Sequence, residues 1–154
     1  MTVIAVALES ELPPAAALNA AHDFSAQRAE VFPAVSGNRL TVHELGDTWA
    51  DVTEGTRAGP VVVWERCRYD WSEPGVVCAV VTDSNVYAVP GSSWEMRATG
   101  AGAGSRVEMV WVREFTPKLI GRIFGFAYRR FGERNFDKYA REVLTNIKEL
   151  DGHD

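Results

Sequence analysis

Two periodicities divide this chain. From residue 40 to 115 apolar and polar positions mostly alternate, as in strands with one buried face, and beyond Thr116 the period lengthens to that of an amphipathic helix. Thr116 suits the cap of that helix and Pro117 its first position. Ile120, Phe124, Ala127, Phe131, Phe136, Ala140, Val143, Ile147 and Leu150 form its apolar stripe. A stripe this long needs a broad apolar surface, which the strands supply only by curling round the helix. A curled sheet gripping a helix leaves a cavity between the two layers, so the pattern points to a small-molecule site.

The other elements follow from local signals. Residues 2–10, rich in Val, Ile and Ala, read as a first strand ended by Leu12-Pro13-Pro14. A short helix is expected over 15–22 and a second, capped by Ser25, through Phe32, with 33–38 as loop. Strands are expected at 40–45, 48–54, 61–71, 75–83, 94–99 and 106–115, with turns at 46–47, 56–60, 72–75 and 100–105. The longer connection 84–93, with Pro90-Gly91, is placed to fold over a cavity mouth. No repeat or interdomain linker is visible, so residues 1–154 read as one domain.

Side-chain parity then assigns faces. Pivoting the last hairpin on residues 101–104 sets Trp94 opposite Trp111, Met96 opposite Met109 and Ala98 opposite Val107, all on one inward face that Arg113 and Phe115 continue. Arg97 faces Glu108 on the other side. In the preceding hairpin, a turn at 72–75 puts Tyr69 opposite Cys78 and Cys67 opposite Val80. Val61, Val63, Glu65, Cys67, Tyr69, Trp71, Val76, Cys78, Val80 and Thr82 then share the inward face. Arg66, Arg68 and Asp70 mark the outward one, with Val77, Ala79 and Val81. Which face of the 40–54 hairpin points inward is left open.

Composition narrows the function classes. Hydrophobic residues make up 46% and charged ones 24%, ordinary for a soluble domain. A net charge of -5 argues against nucleic-acid binding. Arg122, Arg129, Arg130 and Arg134 cluster in the long helix and read as a solvated face in preference to an anion or membrane contact. No apolar run is long enough for stable membrane insertion, and the apolar N-terminus lacks the basic start of a signal peptide, so a cytoplasmic location is expected. Cys67 and Cys78 lie diagonally in the expected register and read as reduced, structural thiols.

With these elements placed, the chain resembles the START/Bet v1-like (SRPBCC) superfamily, in particular the polyketide cyclase/dehydrase-like branch. The likeness rests on Glu11-Leu12-Pro13-Pro14, on Asp23-Phe24-Ser25, and on Gly104-Ser105-Arg106-Val107, which is similar to the Gly-Thr-Arg-Val of that branch. Ala50-Asp51-Val52-Thr53-Glu54-Gly55 and Arg68-Tyr69-Asp70-Trp71-Ser72 resemble text in its bacterial members. The resemblance implies an α+β helix-grip fold, a seven-stranded antiparallel sheet curled around the C-terminal helix with two short helices after the first strand. It also implies lipid-like or other hydrophobic ligands, but carries over no catalytic residue.

Two candidate groups result. Trp94, Met96, Met109, Trp111, Phe124 and Tyr128 are the apolar wall expected to bind a hydrophobic or aromatic small molecule, with core packing as the competing role. Glu65, Tyr69 and Arg113 are the polar candidates: an inward Glu65 must pair with a cation such as Arg113 or hold its proton. The trio suits either anchoring a ligand or proton transfer in a cyclase/dehydratase-type enzyme. A protein-interaction or stress-regulatory module is the third reading, and exposed edge strands leave room for a homodimer.

The remaining motifs are read as structural. His22, His43 and His153 are isolated, so neither metal nor cofactor is expected. The glycines at 100, 102 and 104 lie between two strands and form a hairpin turn, not a phosphate loop. Asp51 and Glu54 point to opposite faces and read as solvent-side or turn residues. Gly121, Gly125 and Gly132 weaken the helix, either as a kinked lid or for close packing against Trp94 and Trp111.

Overall fold

A computed structural model describes residues 1–87 and 91–152. The strands are β1 (Thr2–Ser10), β2 (Leu40–Leu45), β3 (Trp49–Ala58), β4 (Val61–Asp70), β5 (Val76–Ser84), β6 (Ser93–Ala101) and β7 (Gly104–Arg113). Helices α1 (Pro14–Ala21) and α2 (Arg28–Val31) follow β1, and α3 (Leu119–Asp151) closes the chain. The sheet is antiparallel throughout, in the order β1-β7-β6-β5-β4-β3-β2. It curls so that α3 packs along β1 while α1 covers β6 and β7. This is the α+β helix-grip architecture expected from the sequence.

The β6–β7 register is the expected one: Trp94 pairs with Trp111, Met96 with Met109, Ala98 with Val107 and Arg97 with Glu108. Its tight turn is fixed by glycines. Gly102 has φ +59, and a Cβ on Gly104 would lie 2.0 Å from the Ser10 carbonyl oxygen. The β4–β5 hairpin differs from expectation by one residue. Asp70 accepts from the Ser72 amide (2.8 Å) and hydroxyl (2.6 Å), lengthening the loop, so Asp70 pairs with Cys78 and Tyr69 with Ala79. One residue of slip reverses a strand's faces. Val77, Ala79 and Val81 therefore point inward, while Val80 is exposed and the two thiols lie on opposite faces. The faces of β4 are as expected, with Cys67 and Tyr69 buried and Arg66 and Arg68 outward, the former on Asp51 and the latter stacked on Trp49.

Further expectations are corrected. Helix α2 is only four residues long, and β3 runs on to Ala58, leaving Gly59-Pro60 as its turn with β4. Helix α3 begins at Leu119 instead of Pro117, and Lys118 occupies the cap position. The Thr116 amide donates to the Val86 carbonyl, which continues the strand hydrogen bonding, and a residue before proline favours extended backbone. The inward face of the helix's first half is its glycines: Gly121, Gly125 and Gly132 are buried while Phe131 is 51% exposed. These glycines pack against Thr116, Phe115 and Ile4, in place of the expected tryptophans. The second half follows the expected stripe, with Ala140, Val143 and Ile147 buried and Leu144 beside them.

Candidate functional site

Between the concave sheet and α3 lies a cavity of about 310 Å³. Strands β3 to β7 supply its floor, α3 its roof through Phe124, Tyr128, Asn135, Phe136 and Tyr139, and the α2 region its side through Arg28, Phe32 and Val35. Of the expected apolar wall, Trp94, Trp111, Phe124 and Tyr128 line it. Met96 and Met109 do not, since they are closed off in the core at 0% and 1% exposure. Rings meet edge to face or tilted around the space. Trp111 lies 4.4 Å from Phe136, Tyr128 5.2 Å from Phe136 and Phe32 6.2 Å from Trp94, between ring centroids.

All three polar candidates reach the cavity, but in two groups. Tyr69 belongs to the first, which is saturated. Its hydroxyl accepts from Arg28 Nη2 (2.9 Å) and donates to Glu54 Oε1 (3.3 Å), and Arg28 Nε closes an ion pair with Glu54. Arg28 also donates to the Ala21 and Asp23 carbonyls, and its guanidinium lies 4.6 Å from the ring centroids of both Phe24 and Phe32. Burial, followed by the charge of Glu54, pushes the Tyr69 phenol well above its ordinary range, so it stays protonated. Glu54 was expected on the solvent side. It faces inward because Ala50, Val52 and Glu54 share the buried side of β3, while Asp51 lies outside, as parity required.

The second group, Glu65 with Arg113, is unsaturated. Arg113 is 6% exposed, donates from Nη1 to the Ser93 carbonyl (3.0 Å) and lies 4.6 Å from the Tyr87 ring centroid. Its Nε is buried with no hydrogen-bond partner among the described residues, and so is Glu65 Oε2. Burial raises the Glu65 pKa; Arg113 opposes this and Glu54, its cross-strand neighbour, reinforces it. Burial, the largest influence, lowers the Arg113 pKa, but the acidic groups around it, Glu65 first and then Tyr87, Tyr128 and Cys67, together outweigh burial and the net shift is upward. Tyr87 and Tyr128, joined hydroxyl to hydroxyl at 3.0 Å, stand beside this group. The site thus offers a guanidinium donor and a carboxyl that favours its proton, both facing a ring-lined space.

Arg28, Glu54, Tyr87 and Tyr139 are site residues that the sequence reading missed. Strand parity was a usable signal for Glu54, whereas none marked Arg28 or Tyr87. Of the connection expected over the mouth, Tyr87 lines the cavity; Pro90 lies outside the described residues, as does His153. His43 is exposed at a bulge in β2 and bonded to Thr53 (2.7 Å), and His22 stacks on Trp71 at 4.5 Å. Neither belongs to the cavity.

No family model and no curated protein matches this sequence. Solved structures do match in fold. The protein TTHA0849 of Thermus thermophilus superposes with TM-score 0.77 at 12% identity, over 97% of this chain and 99% of that one. The Zhui aromatase/cyclase of Streptomyces sp. R1128 gives 0.73 at 16% identity, over 96% and 93% of the two chains. A START superfamily protein of Mycobacterium smegmatis gives 0.72 at 7%, over 96% and 98%. The fold is therefore that of START and aromatase/cyclase proteins, as the sequence resemblance implied.

Proposed function

We propose that this protein binds a hydrophobic or aromatic small molecule in the cavity, with an oxygen-bearing end of the ligand at Arg113 and Glu65. The observation that carries the reading is the pair of buried atoms without a hydrogen-bond partner among the described residues, Arg113 Nε and Glu65 Oε2, in a space walled largely by aromatic rings. Leaving a buried polar group unsatisfied costs about 1–3 kcal/mol, so a ligand that accepts from Arg113 Nε and bonds Glu65 Oε2 is favoured by removing that cost. Trp94 and Trp111 provide flat apolar area for its body.

Tryptophan fluorescence, titrated with aromatic and acyl carboxylic acids and with matched hydrocarbons, tests this. The oxygenated ligands should bind more tightly, and Arg113→Gln should remove the difference. Equal affinity for acid and hydrocarbon would overturn the assignment of the polar end.

A cyclase/dehydratase-type enzyme is the second reading, favoured by one observation: Glu65, a buried carboxyl whose pKa burial raises, lines the same cavity as the Arg113 guanidinium. Replacing Glu65 by Gln separates the two. A binder loses affinity modestly, whereas an enzyme loses turnover by orders of magnitude while still binding.

A further inference from the structure

Helix α3 has a second apolar stripe, facing away from the protein. Leu119, Ile123 and Phe126 are 74%, 59% and 61% exposed. At about 100° per residue they fall, with Arg130, within an arc of roughly 60°. That arc lies opposite the glycines buried against the body. Phe131 and the exposed Met1 and Val3 extend the apolar area across a groove between the helix and the start of β1. A purely solvated face has no need of three large apolar residues in register.

Charge is concentrated on the same half-helix. Lys118, Arg122, Arg129, Arg130 and Arg134 are offset only by Glu133 between residues 118 and 134, in a chain of net charge -5. None of these cations joins an ion pair among the described residues. Arg130 instead stacks on Phe131. A second copy meeting this face across a two-fold axis would set like charges against one another. A nucleic acid would match the cations but leave Leu119, Ile123 and Phe126 without apolar contact.

We infer that the outer face of residues 118–134 docks on an anionic lipid surface, its apolar stripe entering the headgroup region between flanking arginines. The protein lies on the bilayer and does not span it, since no helix among the described residues is long and apolar enough to cross. The opposite face of the same half-helix lines the cavity through Phe124 and Tyr128, so docking brings the cavity roof to the lipid. The inference does not depend on what the cavity holds.

Flotation of the full chain with vesicles of phosphatidylcholine alone, or mixed with phosphatidylserine, tests it. Binding should require phosphatidylserine and fall with added salt. Each basic residue near such a surface is worth about fivefold, so Arg129→Gln with Arg130→Gln should weaken binding about 25-fold. Ile123→Ser with Phe126→Ser should weaken it while leaving the thermal melt unchanged, because both side chains are exposed. The inference fails if the native chain ignores both vesicle types, or if neither double variant alters binding. It also fails if the stripe proves to mediate dimerisation, seen as a concentration-dependent dimer that the serine variant abolishes.

Discussion

Replacing Arg28 by Ala should be among the most damaging single changes in the molecule. Its guanidinium is 3% exposed and makes four sets of contacts, to Glu54, Tyr69, the Ala21 and Asp23 carbonyls, and two phenyl faces. Removing it leaves the Glu54 carboxylate with only the Tyr69 hydroxyl, 3.3 Å away, among the described residues, in a buried setting. Breaking one side of a buried ion pair costs about 3–5 kcal/mol. For a chain of this length that corresponds to a fall in Tm on the order of 10 °C. Urea unfolding, followed by circular dichroism and tryptophan fluorescence, gives the number. Replacing both partners, as Arg28→Met with Glu54→Leu, should recover much of the loss, because an apolar pair leaves no uncompensated charge. A cost below about 1 kcal/mol for Arg28→Ala, or single effects that simply add in the double variant, would refute this reasoning.

Other expectations follow from the same contacts. Glu65→Gln should change how stability varies with pH. The native carboxyl ionises above its ordinary value of 4.5, so its contribution to stability is full below that pH and is lost as pH rises toward the folded-state pKa. The Gln variant lacks that decline, and parallel pH profiles for the two proteins would contradict the assignment. Gly121→Ala should destabilise by roughly 1–3 kcal/mol, because its Cβ would lie 2.0 Å from the Thr116 carbonyl oxygen. Gly132→Ala meets the terminal methyl of the buried Ile4 at 2.5 Å, a side-chain and not a backbone atom, and should cost less than Gly121→Ala by thermal melt. Thiol titration of the native protein should modify Cys78 and spare Cys67, whose pKa burial pushes up, until the chain unfolds.

Much of the architecture could be read from the chain because large residues repeat at fixed parity. Trp94, Met96, Met109 and Trp111 sit around a tight glycine turn, which leaves their hairpin one sensible register. The β5 faces could not be read, because the Asp70 side chain decides the loop length and one extra residue inverts the strand. At the cavity, Glu65 and Arg113 were visible as charged residues at inward positions. Glu54 could have been placed by strand parity, but its pairing with Arg28 could not, since 26 residues separate them and the contact exists only after the sheet curls. The glycine face of α3 was hidden for another reason. A periodicity of large apolar residues marks where side chains fill space, and here the helix approaches the body through residues that have none. That same absence turned Ile123 and Phe126 outward.

The most direct test of the ligand-binding account is native mass spectrometry of the purified chain before and after organic extraction. The account predicts a co-purifying or readily added small molecule, apolar in body and oxygenated at one end, whose retention falls in Arg113→Gln. A chain that stays at its bare mass with every aromatic and acyl probe would contradict it.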